Sequence, residues 1–248
     1  QWTPTTPIDA LPVVILHGFL EQGAAWHAVA QKLADAGRTV VAPDHRGHGR
    51  SAHIAAGQHY HFWDYVGDVQ AVVDSLGGRV DLVGHSMGGT MASLFAGSRP
   101  EAVRKLVLVE GLGPPDLEDA AVSLGRQFLD ARRSLTAHPV MATTRDAAGR
   151  MQRFNPRLDD ETSLRLAERT THPVEGGVTW SWDTRHRARN PYPFQSRLFV
   201  RFLSAITADV LLVDGADSAY AKATDPARRE ALSQARLVIV PGAGHLLH

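Results

Sequence analysis

Two side chains in this chain have the types and surroundings needed for nucleophilic chemistry. Ser86 stands in Gly84-His85-Ser86-Met87-Gly88, after the β-forming residues Val80, Leu82 and Val83 and before Met91, Leu94 and Phe95, which recur at helical spacing. The pattern reads as strand, sharp turn and helix. Such a turn strains the serine backbone and pushes its hydroxyl into the open, while Gly84 and Gly88 remove side chains that would collide where strand and helix pack. The helix from Met87 through Ala96 presents its unpaired first amides and positive dipole end where an oxyanion would form. Acyl transfer by a serine also needs a base that works near neutral pH and an acid that orients the base. Of thirteen histidines, His245 alone sits in a glycine-rich loop directly after a strand-like run, Leu237 to Val240. His248 is read as a terminal bystander. His59 and His61 form a His-x-His pair with no carboxylate or third histidine at ligand spacing, so neither a metal nor a cofactor is read from these residues.

Ser86 and His245 are useful only if a scaffold holds them together. Pro12 to Leu16, Arg38 to Ala42, Val80 to Val83, Val103 to Val109, Val210 to Val213 and Leu237 to Val240 read as apolar strands. Between them Ala24 to Ala36, Phe62 to Leu76 and Pro226 to Ser233 read as helices, the first two closed by glycines. Strands alternating with helices imply an α/β fold, a mostly parallel, doubly wound sheet covered on both faces. The alternation lapses between Gly113 and about Thr207, where arginine-rich helical pieces are separated by Pro, Gly and Asn. The expected organisation is a core of residues 1–112 and 208–248 with a helical cap, 113–207, inserted over the C-terminal strand ends, where α/β folds place their sites.

Composition removes other classes. With 248 residues, 44% of them hydrophobic, the chain can bury a large core. Lys+Arg and Asp+Glu both number 26, which disfavours a nucleic-acid partner, and no apolar run is long enough to span a bilayer. Zero cysteines exclude disulfides, thiolate metal sites and a cysteine nucleophile. The lack of cysteine leaves the compartment open, with cytoplasmic as the default expectation, and Gln1-Trp2-Thr3-Pro4 shows no basic region followed by an apolar segment.

His17-Gly18-Phe19, the loop Asp44-His45-Arg46-Gly47-His48-Gly49-Arg50-Ser51, Gly84-His85-Ser86-Met87-Gly88-Gly89 and the late Gly242-Ala243-Gly244-His245 occur in that order. Together they closely resemble the α/β-hydrolase superfamily over everything outside the cap. The cap's tail, from Gly176 to Asp183 and from Arg189 to Phe194, is similar to the serine-hydrolase-like branch. Members usually start with a β-hairpin before Pro12 and finish with a helix after the histidine loop, so both ends of the protein are expected to lie beyond this sequence.

The resemblance implies an oxyanion hole made by the backbone N–H groups of Met87 and Phe19. It also exposes a departure. In most relatives the acid follows the strand at Val210 to Val213, at a position that aligns here with Ser218, and serine carries no charge. Asp217 stands one residue early, a shift that normally turns a side chain away. Glu110 ends the preceding strand, where some relatives, haloalkane dehalogenases among them, keep their acid. Glu110 is the first candidate and Asp217 the second, with a purely hinge-capping Glu110 as the alternative.

A serine at the elbow, rather than an aspartate, argues against the dehalogenase and epoxide-hydrolase branches. The expected activity is hydrolysis of small to medium, largely apolar carboxylic esters through an acyl-enzyme. The cap residues Phe128, Leu129, Phe154, Trp180, Trp182, Tyr192, Phe194 and Phe199 either line a pocket over Ser86 or form the cap's own core. Carbon–carbon bond hydrolysis or lactone opening on the same residues is the enzymatic rival. A receptor or interaction module on the hydrolase fold is the other, and it has no physical need for an intact serine, histidine and acid. The partner read here is a small-molecule ester, with no nucleic acid and no membrane.

Overall fold

The computed structural model of the chain describes residues 1–188 and 190–247, so Arg189 and His248 lie outside the described residues. The first half runs β1 (Val13–Leu16), α1 (His27–Asp35), β2 (Val40–Val41), α2 (Phe62–Ser75), β3 (Val80–His85), α3 (Met87–Ser98) and β4 (Val103–Val109). After β4 come α4 (Ala121–Arg133), α5 (Thr144–Phe154), α6 (Asp160–Thr170), β5 (Thr171–Val174), β6 (Gly177–Trp180) and α7 (Ser196–Ser204). The chain then re-enters the sheet as β7 (Asp209–Gly215), α8 (Ala219–Lys222), α9 (Pro226–Ala231) and β8 (Arg236–Val240). The main sheet has the order β2-β1-β3-β4-β7-β8, and every pairing in it is parallel.

Period-two alternation along the strands feeds two cores. Val14, Leu16, Leu82, Leu106 and Leu108 point to one face, where Val69 and Val73 of α2, Met91 and Phe95 of α3, and Phe199 and Leu203 of α7 cover them. Val13, Ile15 and Val109 point to the other face, under Trp26 and Ala30. The expected helix from Ala24 splits into a 3₁₀ turn, Gly23–Trp26, and then α1. The Gly23 N–H is tied to Asp44 Oδ1 at 2.9 Å, and a Cβ at Gly23 would lie 2.1 Å from the Ala42 carbonyl oxygen, so the entry is pinned against the β2 exit.

The segment between β4 and β7 is more mixed than its composition suggests. α5 and α6 pack on each other around Met141, Ala147, Ala148 and Ala167, with a Thr143–Asp146 capping box and an Asp159 cap starting the two helices. β5 and β6 form a separate antiparallel hairpin, strands that the reading of the segment as helical pieces did not single out. The turn between them carries Gly176 at φ 82°, flanked by the β-formers Val174, Val178 and Trp180. α7 departs from the expected boundary at Thr207. It lies against α3 so closely that a Cβ at Gly97 would meet the Phe202 carbonyl oxygen at 2.3 Å, and it belongs to the layer covering the sheet. No helix among the described residues is long and apolar enough to cross a membrane.

Candidate active site

Ser86 links β3 to α3 with φ 51° and ψ −115°, a backbone that L side chains rarely adopt. The elbow is possible because of its glycines. A Cβ on Gly84 would lie 2.5 Å from the Gly88 carbonyl oxygen, and one on Gly88 would lie 2.2 Å from that of Leu16. Leu20 at φ 61° and Glu110 at φ 50° are the other two non-glycine residues with positive φ among those described. All three flank one site: Leu20 follows β1, Ser86 follows β3 and Glu110 follows β4. Strain of about 1–3 kcal/mol per residue persists only where surroundings over-determine the conformation.

Those surroundings bring Ser86, His245 and Glu110 together. His245 Nε2 lies 3.0 Å from Ser86 Oγ, and His245 Nδ1 lies 3.2 Å from Glu110 Oε2. With Nδ1–H donating to the carboxylate, Nε2 is left to accept the serine proton. Glu110 is 2% exposed and is held by two further donors, the Gly215 N–H and the Ser218 hydroxyl, each at 2.6 Å. Ser218, which the resemblance aligns with the expected acid position, here donates to Glu110. Asp217 is on the other side of the loop, half exposed and paired with Arg157 at 2.8 Å. Burial holds the His245 pKa below its ordinary value, against the opposing hydrogen bond to Glu110, and the neighbouring His85 adds to the lowering.

The loop after β1 is braced from behind by neutral imidazoles. His48 Nε2 accepts the Leu20 N–H at 3.2 Å, while its Nδ1 faces the Arg46 carbonyl. His17 Nε2 accepts the His45 N–H, and His45 Nε2 returns a bond to the His17 carbonyl, both at 3.0 Å. Burial is the main cause that drives His17 well below the usual imidazole range, and it pushes His45 and His48 down to about 4. This neutral stack presents Phe19, whose ring is half exposed and meets His186 of the inserted segment edge-on at 5.7 Å. The N–H groups of Phe19 and Met87 have no hydrogen-bond acceptor among the described residues.

The inserted aromatics do not converge over Ser86. Phe199 is core, Phe194 packs edge-on against it at 5.2 Å, and both flank the buried Arg228 guanidinium. Phe154 is 94% exposed, and Leu129 and Tyr192 are also open to solvent. Trp182 meets His138 and Arg187, while Phe128 meets His59 and Arg132. Helical periodicity tells which residues share a face, not which neighbour that face meets, and here α7 meets the sheet.

Two residues that the sequence reading did not single out complete the site. His85, 1% exposed, directs Nδ1 to Glu21 Oε2 at 3.2 Å and Nε2 to the His245 carbonyl at 2.9 Å. Glu21 Oε2 also accepts the Gly18 N–H at 2.8 Å. The available signal was position alone: His85 adjoins the serine, and Glu21 follows His17-Gly18-Phe19 by two residues.

A parallel sheet with a serine on its central strand–helix elbow defines an α/β hydrolase, and the family model of the alpha/beta hydrolase fold matches residues 12–248, so the chain belongs to that family. A serine hydrolase-like protein of Danio rerio is 30% identical over 227 residues, 89% of this chain and 69% of that protein. The thioesterase domain from the curacin biosynthetic pathway is similar in structure, with a TM-score of 0.85 and 34% identity over 100% of this chain and 88% of that one. A hypothetical protein from Pseudomonas aeruginosa gives a TM-score of 0.86 and 35% identity over 98% of this chain and 86% of its own.

Proposed function

We propose that this α/β hydrolase is a serine esterase that cleaves small to medium, largely apolar carboxylic esters through an acyl-enzyme. The observation that carries the reading is the unbroken relay Ser86 Oγ, His245 Nε2, His245 Nδ1, Glu110 Oε2, with steps of 3.0 and 3.2 Å. Ser86 Oγ attacks the ester carbonyl carbon as His245 takes its proton, and Glu110 steadies the resulting imidazolium. The carbonyl oxygen gains the negative charge within reach of the Phe19 and Met87 N–H groups, which stabilise it without reorganising. Collapse breaks the C–O bond, His245 gives its proton to the leaving alcohol, and water repeats the sequence on the acyl-serine. The half-exposed Phe19 ring and Tyr220, whose ring lies 4.7 Å from that of His245, supply apolar surface for the acyl group. The inserted residues, with the α7 stretch set apart, act as the lid, and His186 on Phe19 is its contact with the oxyanion loop.

Ser86→Ala tests the reading. A fluorophosphonate probe should label the wild-type protein and not the variant, and turnover of 4-nitrophenyl butyrate should fall to the background rate while the circular dichroism spectrum is retained. Turnover in the variant above a few per cent of wild type would sink the mechanism. A second reading, thioester cleavage, is favoured by the 34% identity to a thioesterase domain across the whole chain. Comparing kcat/KM for a butyryl thioester and the matching oxygen ester decides between them, because the same relay serves both and only leaving-group recognition differs.

A further inference from the structure

We propose that Glu21 and His85 are a positioning pair for this reaction, an ion pair that clamps the oxyanion loop at Gly18 and the base loop at His245 onto the nucleophile elbow. The inference rests on the serine-hydrolase reading above and adds to it two residues outside the relay of serine, base and acid.

The chemistry of the contacts fixes the protonation of His85. Its Nδ1 faces a carboxylate oxygen at 3.2 Å and its Nε2 faces the His245 backbone carbonyl at 2.9 Å. Both partners only accept, so both ring nitrogens donate, and the ring is an imidazolium. Burial works against that charge, but the Glu21 carboxylate and the bond to the His245 carbonyl outweigh it and raise the His85 pKa. His85 is thus a buried histidine held charged near the neutral, buried His17, and the carboxylate beside it is what separates the two.

The geometry makes the pair a junction of three loops. Glu21 Oε2 takes the Gly18 N–H, fixing the turn that aims Phe19. The His85 ring lies on the sequence neighbour of Ser86, and its Nε2 holds the main chain of His245 itself. A Cβ on Gly18 would come within 2.7 Å of His85 Nδ1 and 3.0 Å of Glu21 Oε2, so the pair fills the space that only glycine leaves open. Oxyanion donor, nucleophile and base are thus referred to one hydrogen-bonded unit, and a displacement of about 1 Å in such a constellation costs roughly 10²-fold in rate.

The pair has a further effect on the base. The His85 and His245 rings are 5.0 Å apart, and the His85 charge opposes protonation of His245. The groups facing His245 are Glu110 from the end of β4, His85 from the end of β3, Glu21 from the loop after β1 and Tyr220 from α8. Both carboxylates raise its pKa and His85 lowers it. Burial remains the larger lowering influence, but removing the His85 charge takes away the one that adds to it, and so raises the pKa of the base.

The test is the pH dependence of 4-nitrophenyl butyrate hydrolysis by wild type, His85→Gln and Glu21→Gln, with Ser86→Ala as control. His85→Gln keeps an amide donor near the His245 carbonyl but no charge. Its kcat should fall about tenfold or more, as expected for a lost charge-assisted hydrogen bond, with KM little changed. The acid limb of its kcat/KM profile should move up by roughly half a unit to one unit, the size of one charge at this separation in a water-like dielectric. Glu21→Gln, at a side chain only partly buried, takes away a carboxylate that raises the His245 pKa, so with His85 still charged it should lower kcat similarly while moving the acid limb down rather than up, and it decides the matter if His85→Gln does not fold. Activity lost with an unmoved acid limb in both variants would reduce the pair to packing and overturn the inference, as would wild-type kcat in both. Retained turnover in Ser86→Ala is a different result, the failure of the serine-hydrolase reading itself.

Discussion

The ends of β4 and β7 lie side by side in register, Val109 opposite Val213, and each leads to a carboxylate near the histidine loop. They are built for different ends. Glu110 is buried, sits at φ 50° and accepts from the Gly215 N–H, the Ser218 hydroxyl and His245 Nδ1. Asp217 is half exposed, its own N–H bonds to the Ala243 carbonyl at 2.9 Å, and its carboxylate goes outward to Arg157. An orienting acid is thus defined by the donors that hold its two oxygens as well as by its charge. At the end of β7, Ser218 is one of those donors, so on the proposed reading the charge that serves His245 Nδ1 comes from the end of β4.

The largest expected effect breaks the comparison on the β4 side. Glu110→Gln keeps the shape but removes the anion, and its amide NH₂ faces either the Gly215 N–H or the Ser218 and His245 donors. The imidazole then lacks its partner in the correct tautomer and its support as a cation. kcat should fall by roughly 10²- to 10⁴-fold with KM nearly unchanged, read from steady-state hydrolysis of a 4-nitrophenyl ester. A loss of less than about threefold would remove the distinction between the two strand ends.

How much of this contrast was legible depended on what each level of sequence encodes. The strands were readable because Val13 to Leu16 and Leu106 to Val109 are apolar on both faces, the signature of a sheet covered twice. Ser86 and His245 were readable because glycines mark the turns that carry them. Glu110 entered only through a resemblance and an anomaly, Ser218 standing where a carboxylate is usual. His85 and Glu21 escaped notice because their partners are a main-chain carbonyl 160 positions away and a main-chain N–H, which leave no mark in sequence. The aromatics of the inserted segment were misassigned in part for a related reason. Phe199 and Leu203 form an apolar stripe on α7 that suits a lid as well as a covering helix, and only the close approach of α3 at Gly97 decides which.

The next effect is smaller and sharpens the comparison by moving the charge. Ser218 Oγ already lies 2.6 Å from Glu110 Oε2 and caps α8 through the Ala221 N–H at 3.2 Å. Aspartate caps a helix as well as serine does, so Ser218→Asp keeps that role while bringing a carboxylate to the same place. In the Glu110→Gln background it should recover about tenfold in kcat over the single variant, a gain of about 1.4 kcal/mol in transition-state stabilisation. No recovery would mean that approach from β4, with its strained backbone, is itself required.

The smallest expected effect lies at Asp217, and its smallness is the sharpest claim of the set. The Arg157–Asp217 pair is half exposed on both sides, and pairs of this kind contribute about 0–1 kcal/mol. Arg157 also donates through Nη1 to the Gly242 carbonyl at 2.5 Å, so the inserted segment stays tied to the histidine loop when the carboxylate is neutralised. Asp217→Asn should therefore leave kcat within about twofold, and its chemical denaturation midpoint should stay close to wild type. Raising the salt concentration should narrow even that difference, because exposed charges are screened over about 10 Å at 0.1 M. A loss at Asp217→Asn larger than at Glu110→Gln would exchange the two roles, making β7 the source of the acid and leaving Glu110 as a buried strut between the strand ends.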